Sequence, residues 1–201
     1  MNHASVSETN ATARLGMWLF LFTEIMMFGG LFLLYASYRV RFPQAFSDSA
    51  QQLNIWLGAA NALILLTGSF CTTLSVTALR RGSRRLAMIL LAITVLMGGL
   101  FLFNHYLEWS GQIRAGIYPN SPVLDHMSHG EILFFGLYYV TLGLHGLHVL
   151  IGSIILAVMA VFIGRGSLTP EDTIKLENAS LFWHLVDIIW IFLFPLYYLM
   201  H

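Results

Sequence analysis

Residues Ile132–Ile163 read ILFFGLYYVTLGLHGLHVLIGSIILAVMAVFI, thirty-two positions without an Asp, Glu, Lys or Arg. A helix rises about 1.5 Å per residue, so a bilayer core about 30 Å thick takes about 20 apolar residues, against about 10 in a tilted barrel strand. This stretch is long enough to cross as a helix and lacks the strict alternation of a barrel strand. Its surplus length predicts a tilt or a surface turn before entry. Working outward, four more blocks have the same character: Leu15–Tyr38, Ile55–Leu79, Leu86–His105 and Leu181–Met200. The reading is an all-α integral membrane protein, a helical bundle of five transmembrane helices. Residues 1–14 form a polar N-terminal tail and residues 15–201 one five-helix membrane domain, with no repeat or linker dividing it. The first block is too long for a signal-peptide core and has no basic cluster before it, which predicts that it stays.

Composition agrees. Of 201 residues, 57% are hydrophobic and 10% charged, where a soluble domain carries about 25% charge. So few charges cannot cover a water-exposed surface, which excludes a soluble globular enzyme and a disordered chain. Basic and acidic residues are ten each, so no positive field exists to hold nucleic acid. The single cysteine, Cys71, excludes an internal disulfide and any all-cysteine metal site.

Orientation follows from the basic residues of short loops. Arg14, Arg80, Arg81, Arg84, Arg85, Arg165 and Lys175 fall on one side, and Arg39, Arg41 and Arg114 on the other. The expectation is a cytoplasmic N-terminus. Ser128 and Glu131 have capping-box spacing at the start of the fourth span. Thr169-Pro170-Glu171-Asp172 reads as an N-cap, a Pro at N1 and an acidic first turn, predicting a helix start there. Pro195 predicts a bend near the outer end of the fifth span. Segment 106–130, with Gly111, Gly116, Pro119 and Pro122, reads as the longest outside loop.

Each ionisable group in hydrocarbon costs about 2.5–3.5 kcal/mol on insertion scales and needs a reason. Glu24 lies about 14 Å into the first span at helical rise. His145 and His148 stand three apart on one face of the fourth span, and His184 and Asp187 three apart on the fifth. These five are predicted to face the bundle interior and partly satisfy one another. Two readings stand: a hydrogen-bond network that sets helix register, or a proton path or metal site. His105, Glu108 and Trp109 close the third span, where Glu108 can reach water. Trp18, Trp56, Trp183, Tyr197 and Tyr198 read as interfacial belt residues. Asp125-His126-Met127-Ser128-His129-Gly130-Glu131 carries ligand-type side chains, but Ser128 and Glu131 already have a capping role. Gly29, Gly30, Gly58, Gly98, Gly99, Gly143 and Gly146 predict close helix approach.

Phe182-Trp183-His184-Leu185-Val186-Asp187-Ile188-Ile189-Trp190 resembles the last-helix signature of subunit III of the haem–copper oxidases. Gly143-Leu144-His145-Gly146-Leu147-His148-Val149 matches the His-Gly-x-His-Val motif one helix earlier. Thr23-Glu24-Ile25-Met26-Met27-Phe28 resembles the helix with the family's buried Glu, and Tyr106-Leu107-Glu108-Trp109 its Glu-Tyr/Glu-Trp element. The elements occur in family order over nearly the whole chain. The resemblance implies an accessory subunit of a respiratory terminal oxidase that supports stability and proton uptake during oxygen reduction. It implies no catalytic residue and no cofactor or metal bound by this chain, with haem and copper in partner subunits and structural phospholipid held at its surface. The implied partners are oxidase subunit I, in direct contact, and subunit II, in the bacterial cytoplasmic membrane. The implied membrane-embedded polar set is Glu24, His145, His148, His184 and Asp187, with His105, Glu108 and Trp183 as secondary polar or interfacial residues. Mitochondrial-type members have seven spans, and this chain corresponds to the short five-helix form. The segment through Glu108-Trp109 to Gly116-Ile117-Tyr118-Pro119 reads closest to cytochrome c oxidases. Quinol oxidases and the accessory protein of nitric oxide reductases share the motifs. A stand-alone metalloenzyme or proton carrier is the contrasting class.

Overall fold

The computed structural model describes residues 3–118, 121–122, 127–170 and 173–200, with side chains described from Ala11 onward. Six α-helices follow one another: α1 (His3–Arg41), α2 (Pro43–Ala50), α3 (Ile55–Arg80), α4 (Arg84–Arg114), α5 (His129–Gly164) and α6 (Ile174–Phe194). A π turn, Pro195–Leu199, ends the last of them. Five helices are long and apolar enough to cross a membrane, and no strand occurs among the described residues.

Helix boundaries differ from the hydropathy blocks in four places. The polar tail is helical from His3 and continuous with α1. A short helix, α2, occupies the connection after α1, with Pro43 at its start. There the missing N–H costs nothing and φ is preset. Helix α4 does not stop at His105 but runs to Arg114. Nothing between Tyr106 and Arg114 breaks it, and it ends where Gly116 adopts φ 80°. Ile117 N then donates to Gln112 O and Gly116 N to Ile113 O, satisfying the last carbonyls. The expected long loop is shortened accordingly. Helix α6 starts at Ile174, not at Pro170. Its first turn is held from Thr173, whose hydroxyl donates to the Glu177 carboxylate. Glu171 and Asp172 lie outside the described residues.

Other local signals are met. Ser128 and Glu131 form a reciprocal capping box on α5. The Arg81–Ser83 connection between α3 and α4 closes through Gly82 at φ 77°. Pro195 cannot donate to the preceding turn, and the helix widens there into the π turn. That turn points its tyrosines inward. Tyr197 donates to Thr141 on α5 at 3.1 Å, while the Tyr35 hydroxyl of α1 donates to Leu196 O at 2.7 Å.

Helices α3, α4, α5 and α6 form the packed body. Its centre is Trp183, fully buried. A Cβ built on Gly98 of α4 would come within 3.0 Å of this indole, one on Gly152 of α5 within 3.1 Å and one on Gly68 of α3 within 3.4 Å. Glycines on three helices thus form the socket for one α6 side chain. Gly58 packs as closely, its Cβ position 2.9 Å from Phe194. Gly29, Gly30 and Gly99 meet nothing within 4 Å inside the chain, so no described helix of this chain approaches them closely. Helix α1 lies against α5 and α6 and leaves Trp18, Phe22, Met26 and Leu33 exposed. Apolar side chains suit a face turned to lipid or to a membrane partner.

Candidate functional site

The mid-span polar residues do not form one cluster. Glu24 of α1 and His148 of α5 pair directly, Oε2 to Nε2 at 2.9 Å, with both side chains largely buried. The other imidazole nitrogen, Nδ1, lies 2.6 Å from Leu144 O. This carbonyl accepts only, so Nδ1 carries its proton. If His148 is neutral, Nε2 then accepts from a protonated Glu24; if it is imidazolium, Nε2 donates to the carboxylate. In either case the pair holds one shared proton.

His145, one turn earlier, does not join this pair. Its ring is fully buried among Phe28, Phe101 and Trp190, and neither nitrogen has a hydrogen-bond partner among the described residues. A three-residue step turns a helix through about 300°, so His145 and His148 share a side of α5 but diverge by about 60°. That angle sends one towards α1 and the other into the bundle centre.

His184 and Asp187 form a second group, between α3 and α6. His184 Nδ1 lies 2.5 Å from Ser69 Oγ, and Nε2 lies 3.2 Å from Thr73 Oγ1 and 3.1 Å from Ser180 Oγ. Ser69 also faces Asp187, which is buried. The sequence reading missed these hydroxyls, because a Ser or Thr in a membrane helix ordinarily bonds its own preceding turn. Thr73 does this too, donating to Ser69 O. For Ser69 and Thr73 only the facing helix reveals the shared role, whereas Ser180 stands one turn before His184 on α6 itself.

A third group lies at the end of the bundle that bears α2. Glu108 was expected to reach water; its side chain is 5% exposed and lines a pocket open to the surface at this end. The extension of α4 past His105 carries it along the bundle instead of out of it. Its carboxylate accepts from the Tyr198 hydroxyl at 2.8 Å and stands 3.8 Å from His105 Nδ1. Trp109 packs on His105 and Tyr139. The belt assignment is therefore corrected for Trp183, Tyr197 and Tyr198, all fully buried, while Trp18 and Trp56 are exposed as expected. Tyr197 and Tyr198 lie at a helix end wrapped by neighbours, which looks like a lipid-facing end in sequence, while Trp183 falls in the middle of α6 because that helix starts earlier than its apolar block.

At the opposite end Glu177 accepts from Arg80 at 2.8 Å and Arg14 at 3.3 Å, tying α3 and α1 to the start of α6. Asp125 and His126 of the ligand-type loop segment lie outside the described residues. Among the described residues no three His, Cys, Asp or Glu side chains converge as a metal site would require.

The sequence matches the family described as Cytochrome c oxidase subunit III over residues 2–201. The chain belongs to that family. Quinol oxidase subunit 3 of Bacillus spizizenii is 31% identical over 96% of this chain and 90% of its own length. Cytochrome c oxidase subunit 3 of Synechocystis sp. is 32% identical over 92% of this chain and 74% of its own length. A heme-copper oxidase subunit I+III of Aeropyrum pernix is 28% identical over 92% of this chain, which matches 22% of that longer protein. The chain is thus a multi-pass subunit III of the haem–copper oxidases, a family whose members carry both cytochrome c and quinol oxidase names.

Proposed function

We propose that this subunit III is a non-catalytic partner of the redox subunit of a respiratory oxidase, packed directly against subunit I and sustaining its stability and proton uptake. One observation carries the reading. The histidines nearest to forming a ligand set are already engaged or enclosed: His148 by Glu24 and Leu144 O, His184 by three hydroxyls, and His145 by three aromatic rings. On this reading haem and copper are held by partner subunits. The Aeropyrum pernix relative, whose name joins subunits I and III, supports direct contact with subunit I. The loop arginines support an N-terminus on the cytoplasmic side of a bacterial inner membrane. The exposed apolar face of α1 suits structural phospholipid or a further membrane subunit.

The test is a gentle-detergent pull-down of the tagged chain from native membranes, with a reduced-minus-oxidised spectrum of the eluate. Haem bands that arrive with larger subunits and vanish when the chain is isolated are the expected result. Haem or stoichiometric metal retained by the isolated chain would overturn the reading. Oxygen uptake by the same eluate with reduced cytochrome c, compared with a quinol, assigns the electron donor.

A further inference from the structure

The α2 end of the bundle holds a pocket of about 310 Å³, open to the surface and lined in part by Gln52, Asn54, Glu108 and Gln112. Glu108 is the one titratable group among its lining residues. Behind the carboxylate stand His105 on α4, Tyr138 and Tyr139 on α5, and Tyr198 on the π turn. Among the described residues these are the titratable groups facing it, and none is a permanent cation. Two of its lining side chains carry buried atoms with no hydrogen-bond partner among the described residues, Glu108 Oε1 and Gln112 Oε1, and both ring nitrogens of the neighbouring His105 are likewise unpartnered. Buried donors and acceptors in native proteins are paired with protein or ordered water. Water enters a polar cavity that offers it two to four partners and about 30 Å³ of room per molecule. The pocket is larger than that, and the unpartnered Glu108 and Gln112 oxygens of its lining supply partners.

We propose that this pocket is a hydrated proton-exchange site, in which Glu108 takes up and releases a proton through ordered water shared with His105. Uptake moves one proton from the aqueous phase at the α2 end to the carboxylate and neutralises it, and release returns the proton and restores the charge. His105 gives and accepts hydrogen bonds along the way, acting as a positioning residue. Tyr198 holds the carboxylate at the pocket floor. A carboxylate that served only to accept from Tyr198 would need neither the opening nor the unpartnered imidazole beside it. The inference is independent of the electron donor.

Infrared difference spectra of the assembled oxidase, stepped across about pH 5–9 in H2O and D2O, test it. The expected result is a protonated-carboxyl band that grows reversibly as pH falls and downshifts promptly in D2O. It is lost in Glu108→Gln and retained in Glu24→Gln. Tyr198→Phe keeps the band but moves its position, because the carboxyl has lost a donor. This variant leaves the carboxyl in place and serves if Glu108→Gln does not assemble. A band that survives Glu108→Gln, fails to exchange in D2O or stays unmoved in Tyr198→Phe overturns the proposal, as does the absence of any pH-dependent carboxyl band.

Discussion

Two glutamates are embedded in this bundle, and their surroundings differ. Glu24 sits on α1, a helix applied to the outside of the packed body, and is matched by one partner, His148, at 2.9 Å. Glu108 sits where α4, α5 and the π turn converge beside the entry to α3, held by Tyr198 at 2.8 Å with His105 beyond it. The first is a clasp between two helices. The second is the polar lining of a pocket built by several. Burial of a carboxylate is therefore solved in two ways within one chain: by a proton-sharing partner where packing is thin, and by a hydroxyl and a wet opening where packing is dense.

The largest expected effect comes from removing the wall that supports the second arrangement. Trp190 touches Phe101, His145 and Tyr198. Trp190→Ala should cost about 3–5 kcal/mol, as large-to-small changes at buried aromatics do. Thermal release of subunit III from the purified complex, followed on native gels, would show it as early dissociation. Wild-type behaviour there would mean that the four helices do not depend on this core.

Next comes Tyr198→Phe. Loss of a hydroxyl donor to a buried carboxyl should cost about 1.5–3 kcal/mol if Glu108 is ionised in the resting protein, and nearer 1 kcal/mol if it is protonated. The same dissociation assay separates these values and so reports the state of the pocket.

Glu24→Gln should cost less, about 0.6 kcal/mol, the mean for polar contacts between membrane helices. His148 keeps its bond to Leu144 O, and the amide can still meet Nε2. The effect should be confined to α1, read as faster cross-linking or alkylation of a cysteine placed at its exposed Trp18 face, with haem content unchanged. An effect as large as that of Trp190→Ala would erase the distinction between clasp and pocket.

The smallest effect is expected for Arg14→Gln, within about 1 kcal/mol of zero and vanishing at high salt. The arginine is more than half exposed, and Glu177 retains Arg80. A large, salt-insensitive loss would show that the N-terminal helix is docked by more than this ion pair.

Much of this was legible beforehand. The number of spans, the α5 capping box, the disruption at Pro195 and the mid-span positions of Glu24 and His148 all follow from local rules. Helix ends were less legible: α4 continues through Tyr106–Arg114, where hydropathy falls but nothing breaks the helix. That misplaced end hid the packing of His105 and Tyr198 around Glu108. The α3 hydroxyls on His184 were silent because nothing on their own helix distinguishes a Ser69 aimed at a neighbour from one bonded to its own turn.

Sequence alone determined that this chain crosses a membrane as five helices and carries the motifs of subunit III, because hydrophobic length and residue order are properties of the chain itself. Which polar groups meet was decided only by tertiary structure. The rotation of each helix about its axis is set by how side chains such as Trp183 fit sockets on other helices. A rotation of about 60°, the angle between His145 and His148, separates a histidine paired with Glu24 from one sealed among aromatic rings.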